Sequence, residues 1–179
     1  MKKTAIPWSV PVAVEDIPEA GMHIEIDAPP VARTELAELA GLRDLPTLSA
    51  VFDLTRRGAE VHVSGQVNAR VGQTCVVTLE PVESTMSEVV DLKFAPADGT
   101  EAEPKSARKR PLGGDEPPEP LFNGRLDLGA LATEFLILGI DPYPRKMGAE
   151  FAPPTPEDPG EYPFAALESL KKNLGGGQS

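Results

Sequence analysis

Between residues 59 and 71 apolar and polar side chains alternate: Val61, Val63, Gly65, Val67, Ala69 and Val71 on one side, His62, Ser64, Gln66, Asn68 and Arg70 on the other. Successive side chains of a strand point to opposite faces, so this stretch predicts a strand of an antiparallel sheet with one wet face. Residues 45–57 carry the same alternation, and Arg57-Gly58 supplies a tight turn between the two runs. Upstream, "MHIEID" (22–27) sets Met22, Ile24 and Ile26 against His23, Glu25 and Asp27, a further half-buried strand. Downstream, "TCVVTLE" (74–80) and "TMSEVVDLKF" (85–94) read as two more strands around a turn at Glu80-Pro81-Val82-Glu83. The apolar run 5–14, "AIPWSVPVAV", holds Pro7 and Pro11 and therefore suits an edge strand or an extended arm.

Two segments switch to helical spacing. In "PPVARTELAELAGL", Pro30 fits a first turn, Ala32, Leu36, Leu39 and Ala40 share one face, and Gly41 can end the helix in the left-handed conformation. From Asp127, a good N-cap, Leu128, Leu131, Ala132, Phe135 and Leu138 follow helical spacing. Leu136 and Ile137 widen that face, so the helix should be heavily buried, with Gly139 to stop it and Pro142 to prevent its continuation. The fold class is α+β: an antiparallel β-meander packed with two main helices, a disordered acidic and Pro-rich insertion, and a short C-terminal helix. Residues 1–95 form the N-terminal part of one domain, 96–120 the insertion, and 121–151 the helix that completes the domain. Residues 152–179 form a linker and a short helix in which Phe164, Leu167 and Leu170 repeat at threes. Alone, a helix that short is marginal and needs a surface to lie on.

The 179 residues carry 17 Lys and Arg against 28 Asp and Glu, a net charge of −11. Nucleic-acid affinity comes largely from basic groups displacing counterions, so direct binding to bare RNA is disfavoured, whereas an acidic surface suits a basic protein. The one basic run, Arg108-Lys109-Arg110, is flanked by acids and reads as a solvated patch. No apolar run is long enough to span a bilayer, and a soluble cytoplasmic protein is expected, with no membrane partner and no small-molecule substrate.

The chain has one cysteine, Cys75, and two histidines, His23 and His62. Four-ligand zinc chemistry needs more than that, so neither a metal nor another cofactor is expected. A nucleophilic pair would need a base within reach of the thiol, and His62 could supply one if it lay across a hairpin from the Cys75 strand. No nucleophile elbow or phosphate-cradling loop accompanies them, and a small buried side chain is the expected role of Cys75.

The order of features resembles a known family. "VHVSGQVNARVGQTCVVTLEPV", a strand ending in "LKFAP", an acidic gap and then "DLGALATEFLILGIDPYPRKMGAEF" together are similar to the YceD family of large ribosomal RNA subunit accumulation proteins. The resemblance spans roughly residues 5–175. The helix at 127–138 with "PYPR" at 142–145 carries most of it, and "PFAALESLKK" at 163–172 is similar to the tail of alphaproteobacterial members. It implies a bacterial cytosolic factor needed for large-subunit rRNA accumulation, with relatives in chloroplasts and no catalytic residue to carry over. Many members hold a Cys-x-x-Cys pair where this chain has Cys75 and Thr78.

The expectation is a non-enzymatic ribosome-biogenesis factor that meets a ribosomal protein, an assembly factor or an rRNA-modifying enzyme. Its candidate contact residues are Gln66, Asn68 and Arg70 on the wet sheet face, and Leu79, Glu80 and Pro81 at a turn. Tyr143, Pro144 and Arg145 at a corner, and Phe164, Leu167 and Leu170 in the tail, complete the set. The alternatives are a direct rRNA-binding protein or nuclease cofactor using Arg108–Arg110, Arg145 and Lys171–Lys172, and an enzyme using Cys75.

Overall fold

A computed structural model describes residues 6–96, 117–151 and 167. Residues Met1–Met147 form one compact unit and Gly148–Ser179 a second. Among the described residues of the first, seven strands and two α-helices follow in the order β1 (Pro11–Ala13), β2 (Met22–Asp27), α1 (Pro30–Leu39), β3 (Asp44–Arg57), β4 (Glu60–Thr74), β5 (Pro81–Pro96), β6 (Glu119–Leu121), β7 (Arg125–Asp127) and α2 (Leu128–Gly139).

The main sheet has the order β2-β3-β4-β5-β6. Its first four strands form an antiparallel meander, and β6 joins β5 in parallel. Alternation decides the faces as the sequence predicts: Val61, Val63, Val67, Ala69 and Val71 of β4 are buried with Leu48, Ala50, Phe52 and Leu54 of β3. Both helices pack on this apolar face, with Ala32, Leu36 and Ala37 of α1 and Leu128, Leu131, Ala132 and Leu136 of α2 buried.

Local chemistry fixes the helix ends. After α1, Gly41 takes φ +66°, Gly41 N donates to Glu38 O at 3.3 Å, and Leu42 N donates to Ala37 O at 2.8 Å. This paired closure satisfies two carbonyls the helix leaves open. At the start of α2, Asp127 accepts from Ala130 N at 3.0 Å. The N-terminal arm is tied to the same place, with β1 pairing antiparallel to β7. Asn123 (φ +54°) and Gly124 (φ +62°) form the turn into β7, closed by Arg125 N to Phe122 O at 3.2 Å.

Several expectations are corrected. Residues 74–80 are not a strand: β4 runs to Thr74, the chain turns through 75–80, and Pro81 already begins β5, so the turn expected at 80–83 lies earlier. Leu39 and Leu138 share helical spacing with their cores yet are 50% and 71% exposed, and Ile137 is also exposed, because each helix lays only a narrow stripe on the sheet. Strand β5 extends to Pro96, one residue into the expected insertion, and β6 begins at Glu119. Residues 97–116, with Arg108-Lys109-Arg110, and Phe164, Leu170, Lys171 and Lys172 lie outside the described residues. Leu167 is helical and exposed.

Candidate functional site

The turn that replaces the expected strand is built around Cys75. Cys75 N donates to Glu80 O at 2.8 Å and Leu79 N donates to Cys75 O at 3.0 Å, which closes the loop. The thiol is fully buried, as expected of a free cysteine, but it is not simply apolar filler. Its Sγ accepts backbone N–H bonds from Val77, Thr78 and Lys146, each at 3.4 Å. Residue 146 comes from the other end of the chain, so one sulfur pins two distant segments together.

Those donors favour the charged form of the sulfur. The Thr78 hydroxyl contributes most, followed by the Lys146 and Thr78 amides, and together they outweigh burial and draw the thiol from its ordinary 9.0 down to about 6. Thr78 stands where the resemblance carries a second cysteine, and here its hydroxyl serves the first. Thiolate absorbance at 240 nm should therefore rise with a midpoint near pH 6 and be missing from Cys75→Ser; a midpoint near 9 would refute the assignment. Because the folded value lies below the free-thiol value, the stabilisation is complete only above 9.0 and is lost as pH falls through about 6. Burial should keep alkylation of the native protein slow even where the thiolate dominates.

Three more bonds brace the turn against the second segment, and a fourth, from Tyr143, shapes that segment itself. Gln73 Nε2 donates to Asp141 O at 2.8 Å, Val76 N to Pro144 O at 2.9 Å, and Tyr143 N to Asp141 Oδ1 at 2.9 Å. Lys146 Nζ meets Glu80 Oε2 at 2.9 Å and holds that carboxyl below its usual range. The structure thus joins two surfaces that the sequence offered separately, Leu79-Glu80-Pro81 and Tyr143-Pro144-Arg145. What the tip presents is apolar: Leu79 is 77% exposed, Tyr143 71% and Met147 99%, with Val76 beside them. Leu79 also sits at φ +58°, the left-handed region that costs an L-residue with a Cβ about 1–2 kcal/mol. The structural role of Cys75 was expected from the sequence, but its bond to the Lys146 amide was not, and neither was Met147; nothing in the apolar stretch 74–80 signals that Val76 and Leu79 are exposed.

The wet face is a different kind of surface. Asn68 accepts from Ser87 Oγ at 2.7 Å, Arg70 pairs with Glu83 at 3.2 Å, and Gln66 lies exposed between them and the far end of the strand. These side chains tie neighbouring strands and lie on β4, away from the turn. His62 pairs with Asp91 at 2.6 Å and not with Cys75: thirteen residues of one strand separate them, roughly 40 Å at strand rise, which ends the proposed Cys/His dyad. Among the described residues no three His, Cys, Asp or Glu side chains gather as a metal site requires, and no helix is long and apolar enough to cross a membrane.

Fold and tip together define an α+β protein with a pair of clamped loops at one end of its sheet. The family model described as "Large ribosomal RNA subunit accumulation protein YceD" matches residues 63–171, and the chain belongs to that family. The match takes in most of β4, both tip loops, β5 and α2, and leaves β2, α1 and β3 outside it, a shorter span than the 5–175 of the sequence resemblance. Its description points to a role in the accumulation of large-subunit ribosomal RNA. Comparison with the curated proteins and with the solved structures finds no match.

Proposed function

We propose that this chain serves large-subunit rRNA accumulation as a non-enzymatic cytoplasmic factor that works through protein–protein contact. The partner is a ribosomal protein, an assembly factor or an rRNA-modifying enzyme, and the tip formed by residues 75–80 and 141–147 is where it docks. The observation that carries the reading is Leu79. A leucine held left-handed and 77% exposed contributes almost nothing to its own fold, and strain of that kind persists where the surroundings impose it. Beside it stand Tyr143 and Met147, with the Glu80–Lys146 pair at the rim. Tyrosine and methionine are enriched at the centre of partner interfaces, with polar groups at the rim. The chain carries 28 Asp and Glu against 17 Lys and Arg, which favours a basic protein over RNA itself.

Glycine at position 79 separates fold from function, because it adopts the left-handed conformation freely and removes the side chain. Leu79→Gly should leave thermal stability unchanged or raise it by up to about 1 kcal/mol. In a strain lacking the wild-type gene, tagged full-length Leu79→Gly should recover large-subunit precursor proteins roughly tenfold less well than wild type, the loss of one modest hot spot. Equal recovery by both proteins would sink the docking site, and cleavage or modification of rRNA by the purified chain would sink the non-enzymatic reading.

A further inference from the structure

Strand β5 has 16 residues and pairs with β4 along 14 of them, Pro81 to Phe94, with no register shift. On its other side, among the described residues, only Phe94, Ala95 and Pro96 have a partner, β6. Among the described residues the outer edge from Pro81 to Lys93 is therefore an unpaired row of backbone donors and acceptors. Long free edges invite another strand, and proteins blunt them with prolines, bulges, lysines or short length. This edge has proline only at its two ends, an unbroken register and a single lysine, Lys93.

Its remaining protection is negative charge. Glu83 and Asp91 lie on the exposed face of β5 and Glu88 on the other. Glu83 and Asp91 each bond inward through one oxygen, to Arg70 and His62, and a carboxylate retains a second oxygen for a further donor. Where β6 takes over the edge, a hollow of about 200 Å³ is lined by Asp91, Leu92, Lys93, Pro117 and Glu119. An edge guarded in this way repels a second copy of itself and admits a strand of opposite charge.

We propose that the outer edge of β5 receives an extended basic segment of a partner protein as an added antiparallel or parallel strand. Main-chain bonds to residues 82–93 supply the register, alternating Lys or Arg side chains meet Glu83 and Asp91, and one basic group enters the hollow beside Asp91 and Glu119. Residue 80 of the tip leads directly into Pro81, where the edge begins. The proposal extends the protein-contact reading by naming the partner's chemistry, and it stands or falls separately from the role of Leu79.

The test uses the full-length protein and a fluorescein-labelled twelve-residue peptide of alternating lysine and valine. The expected result is binding that weakens with salt, together with slowed hydrogen exchange at amides 82–93. The same peptide N-methylated at alternate residues should not bind, since it cannot complete the ladder, and the glutamate–valine counterpart should not bind either. Glu83→Gln, Glu88→Gln and Asp91→Asn together should weaken the lysine peptide roughly tenfold while leaving thermal unfolding near wild type. Leu79→Gly should leave peptide affinity unchanged. Undiminished binding of the N-methylated peptide, exchange protection elsewhere than β5, or preferential binding of a single-stranded RNA twelve-mer to this edge would overturn the proposal. Loss of peptide binding in Leu79→Gly would assign the peptide to the tip and overturn it as well.

Discussion

Gly65→Ala should destabilise the folded chain by about 3 kcal/mol, at the upper end of what overpacking a core costs. Gly65 lies in the middle of β4, directly opposite Phe52 of β3, which is fully buried. A Cβ at residue 65 would collide with Val51 O and come within 3.0 Å of Phe52 Cα and Cδ1. Two of these three atoms are backbone in a long paired strand, which cannot yield without breaking the ladder. The aromatic ring is the only part able to move, and it is fully buried. Urea unfolding of the two proteins measures the difference. Phe52→Leu in the Gly65→Ala background should recover part of the loss, because a smaller side chain gives the new methyl room. A loss below about 0.5 kcal/mol for Gly65→Ala would show that neither Val51 O nor the Phe52 ring lies as close to residue 65 as the structure has it.

Asp127→Ala should cost about 3 kcal/mol, more than a helix cap alone, whose usual worth is nearer 1. One carboxylate here accepts from Ser9 Oγ at 2.6 Å, Val10 N at 2.8 Å and Ala130 N at 3.0 Å. It therefore holds the start of α2 and the N-terminal arm at once, and its loss strands two backbone donors. Burial acts to raise its pKa, but the bonds from Ser9, Ala130, Val10 and Gly129 outweigh it and hold the group below its ordinary 3.8. The stabilisation is therefore present above that ordinary value and is lost as pH falls through the lower folded one. Wild type should show an acid limb of instability below about pH 4 that Asp127→Ala lacks. Parallel acid limbs in the two proteins would mean that the charge on Asp127 contributes nothing.

Much of this architecture is legible in the chain because the signals are local. The alternation in β4, the Asp127 cap and the left-handed Gly41 each act within a few residues. Residues 74–80 mislead for a physical reason: threonine, valine and leucine suit strands, yet a sulfur that collects three amide protons rewards a turn, and one of those protons comes from Lys146. Strands β1, β6 and β7 are three residues long, too short for any period to show. The exposure of Leu138 could not be read from spacing, since an apolar stripe wider than the sheet face beneath it looks the same in sequence. The tip was half visible. Leu79, Glu80, Pro81, Tyr143, Pro144 and Arg145 stood out as two separate corners, and it takes bonds from residues 73, 75, 76 and 80 to bring them to one place.

Pro11 of β1 stands opposite Asp127 of β7 in the same small ladder. A chain made from its N-terminus must therefore keep its opening strand waiting until more than a hundred further residues have been synthesised. The sheet can assemble early, but its cover cannot be fastened before α2 emerges. A nascent chain stalled short of residue 140 should accordingly remain open to proteases, while one released a few dozen residues later should resist them.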